Sequence, residues 1–329
     1  MTDTGETIGA AVAPTASDGA HDRGTSSPLM RNPQRAFSDD RLFLALALAP
    51  TALVIVALVL APIVYTVGLS FFEQNTLLQN WRFAGLRTFA DVLSSDGFRR
   101  AFINGLVYTL GSTVLAGLLG VGVALLLDCR FFGRGAVRAM VIFPYIVPTI
   151  VVTFIWKFIF SGRGLINDLL RELGASGPAI PWLGDERMAM ATVIVISTWA
   201  WFPFVAVTTL AALQNLPDDV YEAAALDGAG RVARFFTLTL PLLAPALIVI
   251  LLIRAIWAFR NFEIIWLLTR GGPIGATEVL PIMAYREAFG SFRMGHASAV
   301  SVTLMMFVTL LAAVYFRLGA RVRRATGAV

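Results

Sequence analysis

The chain has 329 residues and a net charge of +5, with 57% hydrophobic and only 14% charged residues. A soluble domain has about 25% charged residues, so this composition excludes a soluble globular protein and predicts an integral membrane protein. The single cysteine, Cys129, excludes an intrachain disulfide, and it cannot form a metal site of usual spacing with the only histidines, His21 and His296. In a membrane protein, the basic residues are therefore expected to set the orientation of the spans and to contact lipid head groups, and they need not bind nucleic acid.

A polar tail over residues 1–41, rich in Gly, Ala, Ser, Thr and Asp, is predicted to be disordered. Apolar runs long enough to cross a bilayer core of about 30 Å follow it. Lipid offers the backbone no hydrogen-bond partners, so each run is predicted to be a helix. The six predicted spans are 42–68, 104–127, 138–160, 188–212, 243–268 and 297–318, and residues 319–329 form a second tail.

An even number of spans places both termini on one face of the membrane. On that face, the short loop CRFFGRGAVR (129–138) and the acid-free segment FRLGARVRR (316–324) hold arginines against the ends of spans. The positive-inside rule is strongest for such short segments, so both termini are predicted to be cytoplasmic.

The second predicted span carries a small residue at every fourth position, at Ser112, Ala116, Gly120 and Ala124. Such a ladder lets two helix backbones approach closely. It predicts either an interface with another subunit or close packing within this chain.

A long polar segment separates spans four and five, on the same face as the termini. Pro217, Asp218 and Asp219 are typical of a helix start, which predicts a short helix over 220–227. Gly228 and Gly230 allow a sharp turn, and a second helix over 231–239 is predicted to end near Pro241. A rigid element joined to two spans can act as a lever, and the alternative is an ordinary amphipathic surface loop.

Span five carries Arg254 about twelve residues from its start, and a charge inside a membrane is costly and points to function. The hypothesis is that Arg254 contacts hydroxyls or an anionic group of a solute. Arg260 and Glu263 follow at a spacing that allows an ion pair on one helix face, and the alternative role of these charges is structural.

Sequence motifs for catalysis are absent. The only lysine, Lys157, lies in FIWKFIF, so the Gly-Lys-Ser/Thr of a P-loop cannot form, and no Ser-His-Asp set is supportable. The chain is therefore not expected to be an enzyme, and a membrane enzyme stays a distant alternative. If the chain is a transport subunit, its energy is supplied by another subunit or by an ion gradient. A gradient-driven carrier usually has acids in its spans and repeated halves, whereas Glu263 is the only such acid here and no repeat is found. A secondary carrier stays an alternative that these observations disfavour.

The polar segment resembles the EAA loop of ABC-importer permeases. Glu222-Ala223-Ala224, Gly228, Leu238 and Leu240-Pro241 follow its pattern, with Leu238 in place of the usual isoleucine. In that family the loop docks in a cleft of the ATP-hydrolysing subunit, so the resemblance implies a charged contact from Glu222 and close packing at the alanines. The coupling residues that it implies are Glu222, Ala223, Ala224, Asp227, Gly228 and Pro241.

The resemblance covers most of residues 42–318 and is to the MalF-type subunit of carbohydrate importers. It rests also on FAGLRTFADVL (83–93), PYIVP (144–148), STWAWFPF (197–204), LTRGGP (268–273) and residues 277–301. It implies an all-α integral membrane fold, the type I permease fold, in which six transmembrane helices at 42–318 carry a cytoplasmic coupling helix in the loop 217–241.

The resemblance also implies partners and a cargo. The partners would be a MalG-type permease subunit, two ATPase subunits that bind ATP and Mg, and an extracytoplasmic binding protein, in a bacterial inner membrane. This chain itself would bind no cofactor. The implied cargo is a di- or oligosaccharide, and glycerol 3-phosphate, a polyamine or another small polar solute stay alternatives.

Resemblance to the maltose-transporting member implies a substrate path on spans three, four and five. The implied positions are Tyr145, Ser197, Ala200, Trp201, Phe204, Arg254, Trp257 and Ala258. Aromatic faces stack on the apolar face of a sugar ring, while a few polar groups fix its orientation. The chain departs from the maltose pattern at Ala200 for leucine, Trp201 for glycine, Arg254 for serine and Ala258 for asparagine. Because a tryptophan fills much of the space that a glycine leaves open at the same position, the maltose-specific site is not expected to be retained.

Overall fold

The computed structural model describes residues 33–75 and 80–325 of the chain. Residues 1–32 and 326–329, which belong to the two predicted tails, lie outside these ranges. The chain divides into two units, one that ends at Val59 and one that begins at Leu60.

The first unit contains the helix α1 (Pro33–Ile55) and the start of a π-helical turn over Val56–Leu60. Its described side chains are exposed. The helix begins before residue 42, so residues 33–41, assigned to the tail on sequence grounds, are helical.

The second unit is built mainly of helices, with one short antiparallel hairpin in which Phe72 pairs with Phe83. Its elements are α2 (Ala61–Leu69), β1 (Phe72–Asn75), β2 (Asn80–Phe83), α3 (Arg87–Leu93), α4 (Asp96–Asp128), α5 (Arg134–Ile146), α6 (Thr149–Ile159), α7 (Leu165–Glu172), α8 (Ala189–Leu213), α9 (Asp218–Leu226), α10 (Arg231–Arg234), α11 (Leu240–Phe259), α12 (Glu263–Thr269), α13 (Leu280–Tyr285) and α14 (Met294–Ala325). The helix α14 runs through most of the predicted C-terminal tail.

Five helical stretches in the described residues are long and apolar enough to cross a membrane, and a bent pair makes a sixth. The five are Leu46–Leu69, Asp96–Asp128, Ala189–Leu213, Arg231–Phe259 and Met294–Ala313, and the bent pair is α5 with α6. The predicted all-α membrane fold with six spans is therefore confirmed, and two spans differ in form from the prediction.

The third predicted span, 138–160, is not one straight helix. The helices α5 and α6 meet at an angle of 95°, because Val147 and Pro148 are extended, with ψ of 131° and 135°. A proline disfavours helical geometry at the residue before it and cannot donate a backbone hydrogen bond, which explains a break at this point.

The fifth predicted span, 243–268, ends too late. The helix α11 stops at Phe259, and Glu263 opens the separate helix α12. The interpretation of Glu263 as an acid within span five is therefore wrong. The proposed ion pair with Arg260 does not form in the part of the chain that the structure describes.

The small-residue ladder of α4 packs against α8 and α11 of the same chain. Ser112, Ala116 and Ala124 are fully buried, and Ala116 packs in one cluster with Val205 of α8 and Ile250 of α11. A Cβ atom added at Gly120 would lie 2.7 Å from the Cβ of Val205. Of the two alternatives for this ladder, the structure therefore supports packing within the chain.

Candidate functional site: a surface loop and an aromatic site joined by two helices

The polar segment folds as the short helix α9, a turn and a second helix. Pro217 precedes α9, and Asp218 and Asp219 occupy its first turn, where acids favour the positive end of the helix dipole. Gly228 follows with a φ of +76°, a conformation that glycine adopts without steric cost. The predicted helix and turn are both present.

The second helix does not end at Pro241. The helix α10 continues through a π-helical turn over Phe235–Thr239 into α11, and together they form one stretch, Arg231–Phe259. Pro241 lacks a backbone N–H, and its ring would clash with the carbonyl of Thr237 in a regular α-helix. The wider turn just before Pro241 relieves that clash and keeps the helix continuous.

The outer surface of the loop is open to a partner. Glu222, Ala223, Asp227, Gly228 and Pro241 are exposed and Ala224 is half-buried, so these six implied coupling residues lie at or near the surface. Large apolar side chains beside them are also exposed, at Leu226, Val232 and Phe236. An exposed apolar patch with charged neighbours is typical of a protein interaction site.

A hydrogen bond that the sequence does not reveal ties α9 to the π turn. The Tyr221 hydroxyl donates to Oγ1 of Thr239 at 3.0 Å, and Thr239 in turn donates to the carbonyl of Arg234 at 3.4 Å. Thr239 is buried. We call this pair the Tyr221–Thr239 clasp.

The implied substrate-path residues come from three helices, and four of them form an aromatic cluster. Ring centroids lie 5.8 Å apart for Tyr145 and Trp201, 5.7 Å for Trp201 and Trp257, and 4.8 Å for Phe204 and Trp257. Tyr145 also stacks with Phe204 at 6.4 Å. The spacing of three residues places Trp201 and Phe204 on one face of α8, so both can join the cluster.

A cavity of about 310 Å³ opens beside this cluster, at the break between α5 and α6. Its lining residues are Pro144, Tyr145, Val147, Thr149, Val152, Ala200, Trp201 and Ile264. Broken membrane helices commonly border solute cavities, since their free backbone groups need polar surroundings. Of the implied path residues, Tyr145, Ala200 and Trp201 line the cavity.

Three of the other implied residues, Ser197, Arg254 and Ala258, are buried. Ser197 is fully buried, and its hydroxyl shares a hydrogen bond with the phenol of Tyr108 on α4. Ala258 is buried in the apolar core. Tyr108 was not singled out from the sequence, because its partner lies 89 residues away and no local pattern connects them.

Arg254 is almost completely buried, with 1% of its surface exposed. Its guanidinium carbon lies 5.6 Å from the ring centroid of Trp201, a cation–π distance, and the group also interacts with Tyr108. Its Nε and Nη2 atoms have no hydrogen-bond partner. Trp201 and Arg254 stand at the positions where the resemblance to the maltose-type pattern implies a glycine and a serine.

Residues 101–324 match the family model described as the inner membrane component of binding-protein-dependent transport systems. The chain belongs to this family. The match includes the surface loop, the aromatic cluster and Arg254, so this membrane permease carries both candidate sites within its family region. In the described part of the permease, no three His, Cys, Asp or Glu side chains are placed to hold a metal ion.

Two relatives cover nearly the whole permease. The trehalose/maltose transport system permease protein MalF of Thermococcus litoralis is 36% identical over 281 residues, covering 85% of this chain and 94% of its own length. The sulfoquinovosyl glycerol transport system permease protein SmoG of Agrobacterium fabrum is 32% identical, covering 85% of this chain and 91% of its own length.

A solved structure shares the fold of the permease. It is a bacterial ABC transporter involved in the import of the acidic polysaccharide alginate, with a TM-score of 0.75 at 23% identity. The alignment covers 88% of this chain and 99% of that one. The six-span architecture is therefore that of an ABC-importer permease.

Proposed function

We propose that this permease translocates a di- or oligosaccharide that an extracytoplasmic binding protein delivers. The aromatic cluster beside the cavity carries the proposal, because aromatic faces stack on the apolar face of a sugar ring. The transport functions for which both relatives are named, trehalose/maltose and sulfoquinovosyl glycerol transport, support a sugar-containing cargo.

Two of the alternatives are less consistent with the described residues. A polyamine is disfavoured because the buried charge beside the cluster, Arg254, would repel it. A secondary carrier is disfavoured because the candidate spans within the described ranges have carboxylates only at the end residues Asp96 and Asp128. Glycerol 3-phosphate is compatible with Arg254.

Coupling to ATP hydrolysis is proposed to occur at the surface loop. The exposed Glu222, Ala223 and Gly228 would dock on a partner ATPase that binds ATP and Mg, placing the loop and both termini in the cytoplasm of a bacterial inner membrane. A MalG-type permease subunit would complete the path. A second ATPase subunit would dock on that permease subunit.

The loop is connected to both of the helices that would line most of the proposed path. On one side α9 follows α8, which carries Ser197, Trp201 and Phe204. On the other side the continuous helix Arg231–Phe259 carries Arg254 and Trp257, about 35 Å along the axis from the loop at 1.5 Å per residue. ATP-driven closure of the ATPases would push the loop and turn the cavity outward, which is alternating access.

The test is ATP hydrolysis by the complex in lipid with its binding protein, across di- and oligosaccharides, glycerol 3-phosphate and polyamines. We expect one sugar to stimulate hydrolysis, and Glu222→Lys or Gly228→Asp to abolish that stimulation. Thr237→Ser, at an exposed position of the same segment, is the matched control. Transport by the purified chain alone, driven by an ion gradient and indifferent to ATP, would refute the proposal.

A further inference from the structure

Arg254 is a buried cation without an anionic partner. In the described ranges no salt bridge includes it, and the only ionisable group that acts on it is the neutral phenol of Tyr108. A buried guanidinium that serves only packing is normally paired with a carboxylate and fully hydrogen-bonded. Trp201 supplies a cation–π contact, but it cannot accept the hydrogens of Nε and Nη2.

The two unpartnered nitrogen atoms define a binding edge. Nε–H and one N–H of Nη2 point in parallel along the same side of the planar guanidinium, and this side accepts both oxygens of a carboxylate or two oxygens of a phosphate or sulfonate. A neutral hydroxyl can occupy only one of these donors at a time. The open edge therefore fits an anionic oxygen pair better than it fits a neutral sugar.

Trp201 contacts the Arg254 guanidinium and also lines the solute cavity. Its ring lies 5.6 Å from the Arg254 guanidinium carbon, and the same residue lines the cavity with Tyr145 and Ala200. It is half-buried, whereas Arg254 is 1% exposed. Movement of this one indole would therefore change the contact between the guanidinium and the cavity lining.

We propose that the solute carries an anionic group, a carboxylate, sulfonate or phosphate, which pairs with Arg254 when Trp201 moves aside during transport. This inference rests on the proposed sugar-importer function and specifies its substrate class. The aromatic cluster would hold the sugar ring, and Arg254 would select for the acid and against cations. A buried charge without a protein partner thereby becomes a binding determinant.

The test compares acids with matched neutral solutes in the complete complex with its binding protein. The pairs are digalacturonate and its dimethyl ester, a sugar 6-sulfonate and the corresponding 6-deoxy sugar, and sn-glycerol 3-phosphate and glycerol. We expect one acid to stimulate ATP hydrolysis while its neutral partner does not. The pair that responds identifies which anionic group is used.

Variants assign this preference to Arg254 rather than to the binding protein. Arg254→Gln should raise the concentration of acid for half-maximal stimulation at least tenfold, and Arg254→Lys should restore part of the loss. Arg260→Gln, an exposed arginine at the end of the same helix, is the control and should change nothing. If Arg254→Gln does not fold, the test rests on Arg254→Lys and on the comparison of acid and neutral solutes with the unmodified permease.

The outcomes separate the two proposals. Equal stimulation by acid and neutral partner, or an acid preference that Arg254→Gln leaves intact, overturns the anionic substrate and leaves the importer proposal standing. A complex that responds to a neutral sugar alone does the same. A complex whose ATPase responds to no solute of either charge overturns both.

Discussion

Alanine substitutions at glycines of α4 test how closely this helix packs against α8, which carries part of the candidate site. Gly120 lies where α4 packs tightly against the backbone of α8. An added Cβ would meet the Cβ of Val205 at 2.7 Å and the backbone nitrogen of Ala206 at 3.0 Å. Neither atom belongs to a flexible side-chain end, so the helices must separate. Gly122, two residues further along the same helix, has no atom within 4 Å of an added Cβ and is the matched control.

The expected difference in stability follows from these two environments. Replacing glycine by alanine inside a helix stabilises it by about 1 kcal/mol at either position. Overpacking costs about 1–3 kcal/mol and applies only at Gly120. Gly120→Ala should therefore be less stable than Gly122→Ala by about 1–3 kcal/mol. At about 1.4 °C per kcal/mol, from about 2.1 cal/mol/K per residue over 329 residues, the two midpoints should differ by roughly 1–4 °C.

The assay is the thermal unfolding of the purified permease in one lipid environment, at one scan rate, for both variants and the unmodified chain. Gly111→Ala adds an intermediate case, since its Cβ would meet the mobile Cδ1 of Ile194 at 2.9 Å. The expected order of midpoints is Gly122→Ala, then Gly111→Ala, then Gly120→Ala. Equal midpoints for Gly120→Ala and Gly122→Ala would refute the packing of α4 on α8 described above.

Two further predictions concern the surface loop. Tyr221→Phe and Thr239→Val each remove the Tyr221–Thr239 clasp, a hydrogen bond that contributes about 0.5–1.5 kcal/mol. Each variant should therefore lower solute-stimulated ATP hydrolysis roughly two- to tenfold. Because both variants remove the same bond, the double variant should lose no more activity than either single variant. Thr237→Val, which loses only a bond to the carbonyl of Ala233, should have little effect, and additive losses would contradict the clasp. Cys129, the only cysteine, is exposed at the end of α4 on the loop face. A membrane-impermeant maleimide should therefore label it in inside-out vesicles and not in intact cells, and the opposite pattern would reverse the proposed topology.

Features that depend on a single run of residues could be predicted from the sequence. The number of spans follows from the length of apolar runs, and α9 with its turn follows from Pro217, the two aspartates and Gly228. Arg254 was recognised because a charge in an apolar run is conspicuous by itself. These signals are local, so they need no knowledge of the tertiary fold.

Features that depend on direction or on distant partners could not be predicted. The length of an apolar run does not indicate whether the helix bends or breaks. The prediction therefore missed the break at Pro148 and the end of α11 at Phe259. The continuity of the helix past Pro241 depends on a π turn, which helix periodicity does not anticipate. The Tyr108–Ser197 and Tyr221–Thr239 bonds join residues far apart in the chain, and no spacing rule identifies them.

The clasp lies where force would pass if the surface loop couples to a partner ATPase, as proposed. Helices can kink at a π turn, and here the turn separates the surface loop from the part of α11 that carries Arg254 and Trp257. Without a second connection, a push on α10 could bend the turn instead of moving α11. Tyr221 bridges α9 to Thr239, the last residue of that turn, so a push on α9 would also reach the start of α11 through this bond. The wider turn relieves the clash of Pro241 with the helix, and the clasp would limit bending at the turn if the helix acts as the proposed lever.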